Sequence, residues 1–265
     1  MLSMAPILTG GEGEMVKALT VKILILGGTT EATALAKRLA GHPRIDACVS
    51  LAGRTKNPLL PPLPTRIGGF GGVEGLTGYL RAEGIEAVID ATHPFAAQIS
   101  ANAAAACARA GVPLRLLTRP AWVAGPGDRW IGVTDMAAAA LALRGLGDTV
   151  FLTIGRQEVA AFEAVPDKRY LIRAVDPPDP MPALPRVSLI LDRGPFTVES
   201  ELALMRGEGV EVVVSKNSGG RATDSKLEAA RRLGLPVVMV ERPAGNGVAE
   251  LHDVEDAVGW LEGMG

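Results

Sequence analysis

Short apolar runs alternate along the chain with stretches whose apolar positions recur every three or four residues. Val21–Leu26, Ile45–Leu51, Ala87–Ile89 and Leu114–Leu117 are runs of strand length in the first half. Val150–Ile154, Tyr170–Val175, Ser188–Leu191, Val210–Val214 and Val237–Val240 are their counterparts in the second. Runs this apolar suit strands covered on both faces, as in a parallel sheet. Between them, Ala34, Leu35, Arg38 and Leu39 share one helical stripe, and helical patterns also cover 73–81, 95–110, 136–146 and 254–261. Such alternation predicts an α/β fold with parallel sheets.

The pattern repeats within the chain. Gly84-Ile85-Glu86-Ala87-Val88 matches Gly209-Val210-Glu211-Val212-Val213 at an offset of 125, and Gly111-Val112-Pro113 matches Gly234-Leu235-Pro236 at 123. Arg119-Pro120 matches Arg242-Pro243 at the same 123. Two similar Rossmann-like domains are therefore expected, residues 21–146 and 147–265, with a cleft between them. Residues 1–20 read as a flexible extension outside the fold, without the basic start and long apolar core of a signal peptide.

Polar and glycine-rich clusters fall where strands should end, the place where open α/β sheets hold their ligands. After the first strand, Gly27-Gly28-Thr29-Thr30-Glu31 opens a helix. It lacks the full dinucleotide fingerprint, but small residues before a helix start let the backbone approach a pyrophosphate. The second strand ends in Ala52-Gly53-Arg54-Thr55, with arginine where an NAD site usually carries an acid. Arg54 suits a 2′-phosphate and so NADP(H), or else is a solvated surface cation. Gly68-Gly69-Phe70-Gly71-Gly72 follows the third strand and either turns tightly or touches a ligand. Asp90-Ala91-Thr92-His93-Pro94 ends the fourth, and proline keeps Thr92 and His93 on a loop. His93 there either serves a ligand or braces nearby backbone. Trp122 and Trp130 either wall a flat ligand or pack between domains. In the second half, Gly155-Arg156-Gln157 and Lys216-Asn217-Ser218-Gly219-Gly220 take the corresponding positions. A cofactor in the glycine-rich half and a substrate against the basic, polar half is the natural arrangement.

Composition narrows the class. The 265 residues are 48% hydrophobic with a formal charge of −2, so the core is ample and nothing invites nucleic acid. No apolar run approaches the ~20 residues that span a bilayer. Cys48 and Cys107 lack metal-ligand spacing, which suits reduced thiols in a cytoplasmic protein and no metal site.

Taken together, six motifs carry a family resemblance. They are Gly27-Gly28-Thr29-x-Glu31, Gly68–Gly72, Asp90–Ala96, Arg119-Pro120-x-Trp122, Ile154-Gly155-Arg156 and Ser215–Gly220. The set resembles the precorrin-6A reductases of cobalamin biosynthesis, in order, from Val21 to Pro243. The resemblance implies NADPH-dependent reduction of one double bond in the precorrin-6A macrocycle, giving precorrin-6B, with possible hand-over to neighbouring pathway enzymes. A related group acts on the cobalt-containing substrate, and these motifs do not separate the two. Cofactor contacts are expected at Gly27, Gly28, Thr29, Glu31, Arg54, Gly68, Gly69, Phe70, Gly71 and Thr92. Substrate contacts are expected at His93, Phe95, Arg119, Arg156, Lys216, Asn217 and Ser218, and Arg173 and Arg193, which also end or follow strands, are further candidates for a polycarboxylate or else surface cations. His93, whose imidazole titrates near neutral pH when unperturbed, and Lys216 are the catalytic candidates, with binding roles preferred to acid catalysis. The nicotinamide is expected over the Gly68–Gly72 and Thr92–His93 loops. Two other classes remain: a non-redox tetrapyrrole enzyme resembling uroporphyrinogen-III synthase in outline, and a non-catalytic NADP(H)-binding module.

Overall fold

In a computed structural model, the structure describes residues 20–55, 57–220, 223–245 and 247–264. The extension expected over residues 1–20 lies outside them, save Thr20. The first run of elements is β1 (Val21–Leu26), α1 (Thr30–Leu39), β2 (Ile45–Leu51), β3 (Thr65–Ile67), α2 (Gly72–Ala82), β4 (Ala87–Asp90), α3 (Ala97–Ala110) and β5 (Leu114–Leu117). Next come β6 (Arg129–Val133) and α4 (Met136–Ala142). The second run is β7 (Thr149–Leu152), a 3₁₀ helix (Val159–Ala164), β8 (Arg169–Ala174), β9 (Val187–Leu191), α5 (Val198–Gly207), β10 (Val212–Lys216), α6 (Ser225–Leu233) and β11 (Pro236–Val240). The chain closes with β12 (Glu250–Leu251) and α7 (Val254–Glu262).

Among the described residues two six-stranded sheets result, ordered β12-β5-β4-β1-β2-β3 and β6-β11-β10-β7-β8-β9. Every strand pair is parallel. The α/β class and the two Rossmann-like halves follow the sequence pattern, and the two orders superimpose strand for strand. Both faces of each sheet are covered. In the first, α1 and α7 pack on one side through Leu35, Leu39, Val258 and Leu261. Leu76, Leu80, Ala103 and Ala106 of α2 and α3 pack on the other. This double burial is why β4 and the heart of β10 contain no exposed position.

Sheet membership does not follow the division expected at residue 146. β6 comes after β5 in sequence but pairs with β11, joining the second sheet, and its helix α4 packs there. β12 comes after β11 but pairs with β5 in the first sheet, where α7 packs against α1. Each half thus receives its sixth strand and a covering helix from the far side of a crossing segment. Periodicity reports how a segment is buried and says nothing about which sheet buries it. The stretch Asp128-Arg129-Trp130, whose sequence reads as loop, instead leads into the edge strand β6. Trp122 and Trp130 pack against the second half's core, so packing is the role the structure gives them.

Candidate active site

Strand order fixes where the first half can hold a ligand. β2 and β3 extend to one side of β1, while β4 and β5 extend to the other, so the crevice opens beyond the carboxyl ends of β1 and β4. β1 runs into Gly27 and Gly28; a Cβ on Gly27 would lie 3.0 Å from Val49 Cγ1, and Gly28 has φ +126°. Thr29 then caps α1, its Oγ1 accepting from Ala32 N at 3.1 Å and donating to Ala91 O at 2.7 Å. The unpaired N–H groups of α1 are thereby fixed at the crevice, where they favour an anion.

Beside this turn lies a largely apolar cavity of about 150 Å³, walled by Gly27, Ser50, Ala52, Gly68–Gly72, Leu76, Thr92, Ile99 and Asn102. Arg66, which the sequence patterns did not single out, shapes it. Its guanidinium stacks 3.8 Å from the Phe70 ring centroid and donates to Gly68 O (2.8 Å), Gly69 O (3.2 Å) and Ser50 Oγ (2.8 Å). A conserved-looking spacing could not reveal it, because its three partners are two backbone carbonyls and a serine on the adjacent strand. A glycine cradle, a helix N-terminus and an adjoining apolar cavity fit a dinucleotide.

The β4 loop is held by its own acid: Asp90 Oδ1 accepts from Thr92 N (3.0 Å) and Thr92 Oγ1 (2.7 Å). His93 Nδ1 accepts from Phe95 N at 3.2 Å, which in the neutral ring places the proton on Nε2. Burial, then the charges of Lys216, Arg119, Arg242 and Lys226, push the imidazole down to about 4. The near-neutral titration expected for His93 is therefore corrected: at pH 7 the ring is a neutral hydrogen-bond donor. NMR titration should show a single Nε2–H tautomer from pH 8 to 5.5, with protonation only near pH 4. Since this value lies below the unfolded 6.5, the stabilisation is complete above pH 6.5 and declines as pH falls towards 4. A His93 resonance titrating near 6.5 would contradict that environment.

Across the cleft, Lys216 at the end of β10 forms an ion pair with Glu158 and stands 5.3 Å over the Phe95 ring. His93, Phe95 and Lys216 thus meet. The neighbouring residues have other partners. Asn217 is buried, and its side chain bonds both Trp122 N (2.8 Å) and Trp122 O (3.1 Å). The Ser218 carbonyl accepts from Arg119 Nε and Arg242 Nη2, each at 2.9 Å. Arg119 also reaches Glu31 at 2.6 Å and Thr30 Oγ1 at 3.3 Å, beside the start of α1. Burial alone would raise the Glu31 pKa, but the Arg119 hydrogen bond and charge hold it below the usual carboxylate range. Asn217, Ser218 and Arg119 accordingly brace the junction between halves. Arg173 is tied to Glu201 at 2.8 Å and stacked on Phe196, inside the second half. Arg156 and Arg193 reach instead to the loop after β2, donating to Arg54 O (2.7 Å) and Asn57 O (3.2 Å).

This geometry has close relatives. The family model described as precorrin-6x reductase CbiJ/CobK matches residues 22–262. The chain belongs to the precorrin-6x reductase family. A precorrin-6A reductase from Rhodobacter capsulatus is 52% identical over 92% of this chain and 97% of its own length. One from Mycobacterium tuberculosis is 48% identical over 92% of this chain and 98% of its own. A solved structure titled CobK precorrin-6A reductase superposes with a TM-score of 0.87 at 50% identity, covering 93% of this chain and 98% of that one. A cobalt-precorrin-6A reductase from Priestia megaterium is 32% identical over 83% of this chain and 90% of its own length. As a precorrin-6x reductase family member the protein is an oxidoreductase of cobalamin biosynthesis, which sets aside both the synthase-like and the non-catalytic readings. Among the described residues, no helix is long and apolar enough to cross a membrane.

Proposed function

We propose that the protein uses NADPH to reduce one double bond of precorrin-6A to give precorrin-6B, in the cleft between the carboxyl ends of its two sheets. The observation that carries this reading is the meeting of His93 and Phe95, beside the dinucleotide-type cradle, with Lys216 of the opposite half. Identity of 48–53% to precorrin-6A reductases, against 25–32% to cobalt-precorrin-6A reductases, favours the metal-free substrate.

The strand order suggests which residues hold which part of the cofactor. Gly27, Gly28, Thr29 and the start of α1 suit the pyrophosphate. The cavity under Gly68–Gly72 suits the adenine, and Arg54 the 2′-phosphate. The nicotinamide then belongs with Thr92 and His93 on the far side of β1. NADPH, when bound, would supply the hydride, and one proton from solvent would complete the reduction of the double bond. His93 offers its Nε2–H to negative charge developing on the macrocycle, and Lys216 adds a fixed positive charge from the other wall. Phe95 presents an apolar face that keeps water from the reacting carbon. Lys216, Arg119 and Arg242 also raise the local potential, so a polycarboxylate is drawn in despite the net charge of −2. The same reading places the reaction in the cytoplasm, with a neighbouring pathway enzyme taking the product.

The test is a spectroscopic turnover assay with precorrin-6A and either NADPH or NADH, for wild type and Arg54→Ala. NADPH should support turnover well above NADH, and the substitution should cut that preference by about tenfold, the worth of one charge-assisted contact. Absence of turnover with either nucleotide would overturn the reading.

A further inference from the structure

The loop after β2 is touched by the second half through two arginines. Arg156, which follows β7, donates from Nη2 to Arg54 O at 2.7 Å and from Nη1 to Pro177 O at 3.3 Å. Arg193, which follows β9, donates from Nη2 to Asn57 O at 3.2 Å. The Arg54 guanidinium itself is exposed, and neither it nor Arg156 forms an ion pair among the described residues. A guanidinium from the second half therefore lies against the short loop that carries Arg54, where a dinucleotide's adenosine ribose is recognised in this type of fold.

Their present acceptors explain little of this. A backbone carbonyl is a neutral acceptor, and one N–H would satisfy it. A guanidinium carries five N–H donors in a rigid fork, so Arg156 keeps its bonds to Arg54 O and Pro177 O and still has its Nε–H and one hydrogen on each Nη to offer. A phosphate oxygen is the stronger acceptor, because its charge roughly doubles the hydrogen-bond strength. The sequence-based expectation assigns Arg156 to the macrocycle, but the structure sets it beside the residue that ends the β2 turn.

We infer that Arg156 is a specificity residue for the dinucleotide, joining Arg54 across the cleft to clasp the 2′-phosphate of NADPH. The inference rests on the NADPH reading above and adds to it. Discrimination against NADH is then divided between the two halves, and the phosphate fastens one half to the other at the rim opposite His93. A role in holding macrocycle carboxylates would leave nucleotide preference untouched.

Calorimetric titration of the full chain with adenosine 2′,5′-bisphosphate and with 5′-AMP tests this without turnover. Wild type should hold the bisphosphate more tightly. Arg156→Ala should weaken the bisphosphate about tenfold and leave 5′-AMP unchanged, with Arg156→Lys recovering part of the loss. In a cycle with Arg54→Ala, the two losses should be non-additive, as for groups that share one ligand. An unchanged thermal melt for each variant would exclude general damage. A wild type that holds both nucleotides equally would overturn the NADPH reading and this assignment with it. A wild type that prefers the bisphosphate, with an Arg156→Ala that prefers it equally or loses both ligands alike, would overturn the assignment alone.

Discussion

Alanine at Gly219 should cost the protein roughly 3 kcal/mol, the sum of left-handed strain and overpacking against backbone. Gly219 has φ +68°, and a Cβ there would stand 2.1 Å from Pro120 O and 2.5 Å from Arg242 Nη2. These neighbours belong to the two segments that carry the chain from one half to the other, one after β5 and one after β11. Both are pinned to the same loop, through Arg119 and Arg242 on the Ser218 carbonyl and through the Asn217–Trp122 pair. Neither neighbour can retreat cheaply, since one is backbone and the other is a guanidinium already bonded to two carbonyls. At about 2–4 °C per kcal/mol for a chain of this size, the melting temperature should fall by roughly 10 °C. Gly41→Ala is the matched control: its φ is +74°, but nothing lies within 4 Å. It should lose only the strain of about 1–2 kcal/mol. Equal melting temperatures for the two variants would show that the junction is slack.

Gly75→Ala should abolish most nucleotide binding while sparing the fold. A Cβ at this position in α2 would lie 1.7 Å from Phe70 O, so the Gly68–Gly72 loop must move. The loop is the outer wall of the 150 Å³ cavity, and its shape depends on Arg66 bonding Gly68 O and Gly69 O while stacking on Phe70. Displacing Phe70 undoes that stack and narrows the cavity at once. The Kd for NADPH should rise by roughly a hundredfold, corresponding to about 2.7 kcal/mol. Gly78→Ala in the same helix meets nothing within 4 Å and should leave binding unchanged while gaining roughly 0.5–1 kcal/mol in stability. Fluorescence titration of both variants separates a moved wall from a stiffened helix; NADPH binding by Gly75→Ala at the wild-type level would dissociate the loop from the nucleotide.

The parts of the molecule that could be read from its sequence are those governed by local burial. β1, β4, β7 and β10 are covered on both faces, so their apolar runs are unambiguous. The left-handed turns at Gly84 and Gly209, and at Gly111 and Gly234, betrayed the duplication because only glycine sits there comfortably. What escaped depends on contacts between distant segments. Nothing near Arg129 or Glu250 tells which sheet either strand joins. The depressed His93 pKa comes from burial and from four cations, the nearest in sequence being Arg119 and the farthest Arg242. The Asn217 amide reads as a ligand group in the sequence, and its bonds to both N and O of Trp122, 95 residues earlier, have no local signal.

The exchange of β6 with α4 against β12 with α7 sets the order in which the protein can be made. A nascent chain released up to β5 has five strands of the first sheet and an open edge, with the α1 face bare where Val258 and Leu261 will seat. That edge closes only after β12 and α7 have left the ribosome. The second half, whose members all lie between Arg129 and Val240, is complete some twenty residues sooner. The half translated second is therefore finished first. The glycine-rich half waits through the whole of the second half's synthesis for its sixth strand and covering helix, so removing β12 and α7 damages the fold of the half that was translated first.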